Sequence, residues 1–306
     1  MDIHRLEVFC KVIELGSFTK AGEAVFLSQP TVSEHIRHLE DSLGVRLFDR
    51  LGREIMPTQA GRILHGYARK MLRLRQEAIA ALESHAGGLS GHLWLGAGTI
   101  PGTYLLPELI GVFKESYPAV LLTLKIANSR QVADQVMQGE CELGVVGAKW
   151  NESGLEWQPL FADELVLVVR HDHPWAVAGV IEAQRLAEAA FIDRERESGT
   201  RKATHEILSA HGIDPVRLPV IAEMGSTEAV RQSVKAGIGV AIISRQAVRE
   251  DIEHRLLAEV TIGDIQFTRP FYLIRKKNRQ LSPVAALFYE FVIRGELKTP
   301  AISEQK

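Results

Sequence analysis

The stretch Leu27-Ser28-Gln29-Pro30-Thr31-Val32-Ser33-Glu34-His35-Ile36-Arg37-His38-Leu39-Glu40-Asp41-Ser42-Leu43-Gly44 decides how the first part of the chain folds. Ser28 is a good N-cap, because its hydroxyl can accept a hydrogen bond from a backbone N–H of the following turn. Pro30 then falls in the first turn, where its missing N–H costs nothing. Val32, Ile36, Leu39 and Leu43 recur at spacings of four, three and four, which makes one buried stripe. Thr31, Ser33, Glu34, Arg37 and His38 are left mostly on the open face, and Gly44 stops the helix.

Upstream, Leu6, Val8, Phe9, Val12, Ile13 and Leu15 follow helical spacing up to Gly16. Ser17 or Thr19 can cap a short helix from Lys20 to Val25. Two helices joined by a short turn, the second with a polar outer face, fit a helix-turn-helix. Downstream, Val45 to Pro57 has apolar residues alternating around Gly52 and predicts a small hairpin or wing. From Thr58 to about Ala86 the pattern is one long helix. Leu64, Tyr67, Met71, Leu74, Ala78 and Ala81 step by three and four, a heptad seam. At ~1.5 Å per residue this helix is about 40 Å long. The flanking elements are too few to cover it, so a helix from a second chain is the expected partner. Gly87-Gly88-Leu89-Ser90-Gly91 is a hinge.

After Gly91 the texture is α/β. Strands are expected at 92–98, 120–126, 143–146, 164–169, 191–193, 219–223, 239–243 and 267–274. Helices fit 104–116, the segment up to Met137, and the regions near 200–211, 227–236 and 282–294. Such alternation implies βαβ units and mostly parallel sheets.

The motifs carry a family likeness. Ser17-Phe18-Thr19-Lys20-Ala21, Leu27 to Ser33, Ile36, Leu39-Glu40, Leu43-Gly44, Leu47-Phe48 and Arg50 resemble the N-terminal signature of LysR-type transcriptional regulators. Thr58-Gln59-Ala60-Gly61 continues it. Gly22 departs from the pattern, standing where the family usually has a second alanine; Glu34-His35 is an uncommon pair there. The resemblance implies an α/β chain with an N-terminal winged helix-turn-helix (1–58), a linker and dimerisation helix (59–86), a hinge (87–91) and a two-lobed, periplasmic-binding-protein-like effector domain (92–306). Lobe I would take about 92–162 and 266–306, lobe II about 163–265.

On that reading the start of the recognition helix reaches base edges in the major groove. Gln29 suits adenine, Arg37 a guanine or a phosphate, and Thr31 a thymine methyl. Ser28 and Ser33 suit phosphate oxygens; Arg50 and Arg53 suit the backbone or the minor groove. Pro30, Glu34 and His38 complete the expected DNA-facing set, and His35 and His38 are further candidates for phosphate. The partners expected are double-stranded promoter DNA, a small-molecule effector, RNA polymerase and further copies of the chain as a homodimer or homotetramer.

Charge bears on the kind of DNA binding. The 306 residues carry a formal net charge of -2. Residues 1–86 hold 12 basic and 11 acidic side chains, a net of +1. A generic polyanion binder would be far more basic. Placed arginines and two half-sites engaged together must therefore supply the grip.

In the effector domain, several loops present short polar groups at strand ends: Thr99, Ile100 and Thr103; Asn128 and Ser129; Gly147; Ser198, Thr200 and Arg201; Ser226 and Thr227. Three of these loops lead into helices whose N-termini favour anions. Arg130 and Arg201 are the candidate counter-charges. The mixed run Asp193 to Glu197 reads as a solvated loop, and His171-Asp172-His173-Pro174 as a polar turn. Within the family, Thr99 to Pro107, Gly144 to Lys149 and Ser198 to Arg201 look most like regulators of sulfur and selenium metabolism.

No catalytic, phosphate-loop or dinucleotide motif occurs, so no enzyme and no cofactor is expected. Two cysteines, Cys10 and Cys141, give no metal or disulfide framework. Neither a signal peptide nor a stretch long enough to span a membrane is visible, which points to a cytoplasmic protein without a membrane partner. The rival reading is a solute-binding protein, since 91–306 alone would fit one.

Overall fold

The computed structural model describes residues 2–51, 54–85 and 90–294. Arg53, residues 87–89 of the hinge and the end of the chain from 295 lie outside the described residues, as do the side chains of Arg50 and Ala81. The chain divides into two compact units, Met1–Gly91 and His92–Lys306.

In the first unit, α1 (Ile3–Leu15) starts on the Asp2 carboxylate, which accepts from the His4 N–H at 3.2 Å, and stops at left-handed Gly16. Of the two candidate caps, Ser17 holds the start of α2 (Phe18–Ala24). Helix α3 (Gln29–Leu43) runs from Ser28 to left-handed Gly44. Leu6, Phe9, Val12, Phe18, Ala21, Val32, Ile36 and Leu39 form the shared core. Strands β1 (Phe48–Leu51) and β2 (Glu54–Pro57) make an antiparallel hairpin with Phe48 opposite Pro57. The Glu40 carboxylate ties α3 to that hairpin by accepting from the Leu47 and Phe48 N–H groups at 2.7 and 3.3 Å. Thr58 caps α4 (Gln59–His85): its hydroxyl accepts from the Gly61 N–H at 3.0 Å and donates to the Arg46 carbonyl at 2.8 Å. A Cβ on Gly61 would stand 2.2 Å from the Leu47 carbonyl oxygen, so this crossing requires glycine.

The heptad seam read on α4 divides in two. Leu64, Met71, Ala68 and Leu72 pack onto the core of their own unit. Ile63, Tyr67 and Leu74 are 57%, 61% and 64% exposed. The apolar stripe is wide enough for two faces, and the Ile63–Tyr67–Leu74 face is open.

The second unit begins with β3 (Gly91–Ala97), a π-helical turn (Pro101–Leu105), α5 (Leu106–Ser116), β4 (Val120–Ile126), α6 (Ser129–Gln138) and β5 (Leu143–Val146). A long β6 (Leu155–Arg170) leads to α7 (Pro174–Ala178), β7 (Val180–Ile181), β8 (Phe191–Arg194), α8 (Gly199–Ala210), β9 (Val220–Met224) and α9 (Thr227–Lys235). Then come β10 (Ala241–Ser244), α10 (Arg245–Glu253), β11 (Leu257–Ile262), β12 (Thr268–Lys276) and α11 (Pro283–Arg294).

Strand β6 belongs to two lobes. Its first half pairs with β12, and β12 with β5, giving the order β4-β3-β5-β12-β6. Its second half pairs with β10 and β11 in the other lobe. The chain returns beside the first crossing, where the Leu165 N–H donates to the Phe267 carbonyl at 2.7 Å. Only 164–169 was legible as strand, because Pro159 and the weak alternation of 155–163 read as a loop. Pro270 and a register shift between Pro270 and Tyr272 absorb the irregular pairing there.

The expectation of mostly parallel sheets needs correction. β3–β5 and β8–β9 are parallel, but β6 and β12 make antiparallel pairs with every long neighbour. A strand that runs out of one lobe and another that returns must lie antiparallel. Among the described residues no helix is long and apolar enough to cross a membrane.

Candidate functional site

Two surfaces concentrate the polar groups singled out above. On the first unit it is the outer face of α3. The Ser28 hydroxyl accepts from the Thr31 N–H at 3.3 Å and lies 2.8 Å from the Thr31 hydroxyl. Gln29 Nε2 donates to the Ser33 hydroxyl at 2.8 Å, which holds the amide in one orientation. Ser28, Gln29, Pro30, Glu34 and Arg37 are exposed; Thr31, Ser33 and His38 are half-buried. His38 Nε2 lies 3.8 Å from Glu34 Oε1. The positive end of the helix and its ordered hydroxyls and amide form a surface suited to phosphates and base edges.

His35 does not join that surface. Its ring packs edge-on against His4 at 5.4 Å, and burial first, then the His4 and Arg5 charges, hold its pKa below the ordinary value. Its ring is turned to α1, which corrects its expected role toward phosphate.

On the second unit the site is the cleft between the lobes. A crevice with about 10 Å³ of free space is lined by Thr99, Ile100, Asn128 and Ser129 from one lobe and Ser198, Gly199 and Thr200 from the other, with Gly147, Arg194 and Arg269 also lining it. That is room for about one water molecule, so the two lobes stand closed on each other here. Thr99 Oγ1 lies 3.0 Å from Thr227 Oγ1, and Arg194 Nη1 donates to Thr227 Oγ1 at 2.7 Å, so hydroxyls from the two lobes meet. The Arg130 N–H also reaches across to the Glu197 carbonyl at 3.4 Å. A Cβ on Gly199 would fall 2.5 Å from Ser129 Oγ and 3.0 Å from the Gly147 carbonyl carbon, so only glycine allows α8 to start this close to the opposite lobe.

The cations differ from those read in the sequence. Arg201 turns away: its Nε is 3.0 Å from Asp193 Oδ2, and Nη1 donates to the Arg194 carbonyl at 2.7 Å and to Glu223 at 2.5 Å. Arg130 pairs with Glu152 at 2.7 Å. Arg194 and Arg269 face the crevice instead. Arg194 is 2% exposed on β8, with its fork on both oxygens of Glu195 at 2.8 Å. The run from Asp193 is therefore not a solvated loop at its start: Asp193 and Arg194 are buried strand residues. The mixed charges are mutual partners, a pattern that in sequence looks the same as a wet surface.

Arg269 lies on β12 where the chain crosses between lobes, opposite Asp163 on β6. Its Nε and Nη2 reach Asp163 Oδ2 at 2.8 Å, while Asp163 Oδ1 accepts from the Ser244 hydroxyl at 2.6 Å. Burial pushes the Arg269 pKa down, and the Asp163 carboxylate opposes that. Neither arginine carried a sequence signal separating it from its neighbours.

Thr103 sits exposed on the π-helical turn, and Ser226 caps α9 by accepting from the Ala229 N–H; neither lines the crevice. Thr227 stands behind the lining, bonded to Arg194. His173 caps α7, its Nδ1 accepting from the Trp175 N–H at 3.2 Å.

Comparison with known proteins joins the two surfaces. Residues 3–62 match the family model for the bacterial regulatory helix-turn-helix protein of the lysR family, and residues 86–296 the LysR substrate binding domain. The chain is 36% identical over 289 residues to a probable RuBisCO transcriptional regulator of Cyanidioschyzon merolae, covering 94% of this chain and 95% of that one. A protein of the same description from Synechocystis is 34% identical over 295 residues, covering 95% and 85%. Among solved structures, the CcmR regulatory domain of Synechocystis in complex with 2-PG is 30% identical, with TM-score 0.62, over 69% of this chain and 99% of that one. Full-length CbnR complexed with target DNA shares the fold, at TM-score 0.75 and 22% identity over 96% and 99% of the two chains. These relatives are transcriptional regulators, not enzymes, and their names lend nothing to the narrower likeness to sulfur and selenium regulators. The chain belongs to the LysR family of DNA-binding transcriptional regulators with an effector-binding domain.

Proposed function

We propose that this regulator controls RuBisCO genes and that a small anionic metabolite, with 2-PG as first candidate, sets its hold on promoter DNA from the interlobe cleft. The observation that carries the anion is the convergence of Arg194, Arg269 and the start of α8 on one small crevice rimmed by Ser and Thr hydroxyls. The gene target and the candidate metabolite are carried over from relatives at 30–36% identity. They replace sulfur or selenium compounds as the reading of choice.

Within this proposal, Ser28, Gln29, Thr31, Ser33 and Arg37 contact the operator, and the wing arginines Arg50 and Arg53 contact the flanking backbone. The open Ile63–Tyr67–Leu74 face of α4 pairs two copies, and dimers or tetramers place two heads on two half-sites. Effector binding favours one lobe arrangement and so shifts the population of head placements. Working on promoter DNA, the protein is cytoplasmic and meets RNA polymerase there. The solute-binding alternative leaves the whole first unit without a use.

Titration calorimetry of the full chain with 2-PG tests the cleft, followed by footprinting on RuBisCO promoter DNA with and without it. Saturable binding of 2-PG, with no response to an uncharged analogue of its size, is the expected result. Silence toward 2-PG and other small phosphorylated or carboxylated acids would overturn the anionic reading.

A further inference from the structure

The turn between α2 and α3 holds an aromatic side chain for which neither unit has a use. Phe26 is 94% exposed, more than any other large apolar residue described. Its backbone is left-handed, with φ 57°, and it is the one apolar residue among the three non-glycine residues described with positive φ. A bulky side chain there is disfavoured, and glycine or asparagine would fit the turn without strain.

The turn's tightness explains the conformation. The Leu27 N–H donates to the Gly22 carbonyl at 2.8 Å, and a Cβ on Gly22 would stand 2.6 Å from the Leu27 carbonyl oxygen. Glycine at 22, the departure noted in the sequence, lets the turn close onto α2. Closing it throws the Phe26 ring outward, two residues before the Ser28 cap of α3. The ring is thus continuous with the surface that meets DNA, on the end of the recognition helix that enters the groove.

We propose that Phe26 is a further DNA-contacting residue, whose ring packs on the deoxyribose carbons at the edge of the major groove beside the start of α3. Burying part of an aromatic ring against sugar carbons adds affinity without charge and without reading sequence. It suits a DNA-binding segment whose net charge is only +1, because grip lost to weak phosphate attraction is recovered as apolar contact. The left-handed strain is then a cost in folding offset by binding, a pattern common at functional positions.

The test uses the full-length protein, with duplexes enriched from a random library by the wild type as probe. Phe26→Asn relieves the backbone, so thermal unfolding should shift up by about 2–4 °C. The same variant should bind the enriched duplex about tenfold more weakly. Its dependence on salt should match the wild type, since no phosphate contact is lost. Phe26→Tyr keeps the ring and should bind as the wild type does. Higher Tm with unchanged Kd would overturn the proposal, as would an affinity loss accompanied by an altered salt slope or a lower Tm.

Discussion

The outer face of α3 and the interlobe cleft both gather hydroxyls and arginines, yet they are built on opposite plans. On α3 the polar groups sit within ten residues of one another, stand exposed or half-buried, and bond to each other through hydroxyls and an amide. In the cleft they come from segments up to 170 residues apart, and the two arginines are buried against carboxylates. A surface that must scan long duplexes works with displayed groups, since water solvates them until DNA replaces it. A pocket for a small anion must prepay desolvation and hold its cations in place, which requires a partner carboxylate behind each guanidinium. The two plans predict different penalties when a side chain is removed.

The largest penalty falls at Asp163. Asp163→Ala leaves Arg269 buried without its counter-ion and Ser244 without its acceptor. Breaking such a pair costs about 3–5 kcal/mol. All four tryptophans, Trp94, Trp150, Trp157 and Trp175, lie in the second unit, so tryptophan fluorescence in urea reports that unit alone. Its midpoint should fall steeply. An unchanged midpoint would mean that the crossing between lobes does not depend on the ion pair.

Next comes Gly199→Ala. The added methyl must displace Ser129 Oγ or push the lobes apart, an overpacking cost of about 1–3 kcal/mol. Because the clash exists only with the lobes together, the cost should appear in effector affinity more than in stability. Calorimetry with 2-PG should show a loss of about 10- to 100-fold, with the urea midpoint nearly unmoved. Equal effects on both would indicate that the lobes are closed as part of folding rather than binding.

Arg37→Ala probes the other plan. The side chain is exposed on α3, so its removal should leave stability alone and weaken specific DNA binding by about 1–3 kcal/mol. The measurement is a competition between enriched and unrelated duplexes. Loss of discrimination places Arg37 on a base; a uniform loss with a smaller salt slope places it on a phosphate.

The same contrast explains what was legible in the sequence. Helix α3 could be read whole because its cap, its buried stripe and its polar face follow from local spacing, and Ser28, Val32, Ile36 and Gly44 sit where spacing put them. The cleft loops around Thr99, Ser129, Ser198 and Thr200 could be found because each begins a helix or turn with short polar residues. Arg194 and Arg269 could not. What selects them over Arg130 and Arg201 is burial against the crevice, Arg194 beside its neighbour Glu195 and Arg269 across the sheet from Asp163, and no local pattern encodes that burial. The first half of β6 was missed for a related reason, since Pro159 and a strand shared by two lobes break the alternation by which strands are read.

The smallest effect concerns His35, a titratable group on α3 turned to the buried side rather than the displayed one. Its native pKa is held below the ordinary value near 6.5 by burial and by His4 and Arg5. The unfolded chain therefore takes up a proton at a higher pH than the native chain does. Stability of the first unit should be flat above about pH 7 and decline as pH falls through 6.5 toward the lower native value, then level off once both forms are protonated. Hydrogen exchange of peptides from α1 and α3 follows this without interference from the second unit. His35→Phe keeps a ring beside His4 and should abolish the step while leaving DNA binding in place. If the substitution instead weakens operator binding and leaves the pH step intact, His35 belongs with the displayed groups, and the division between the two faces of α3 has been drawn one residue too far.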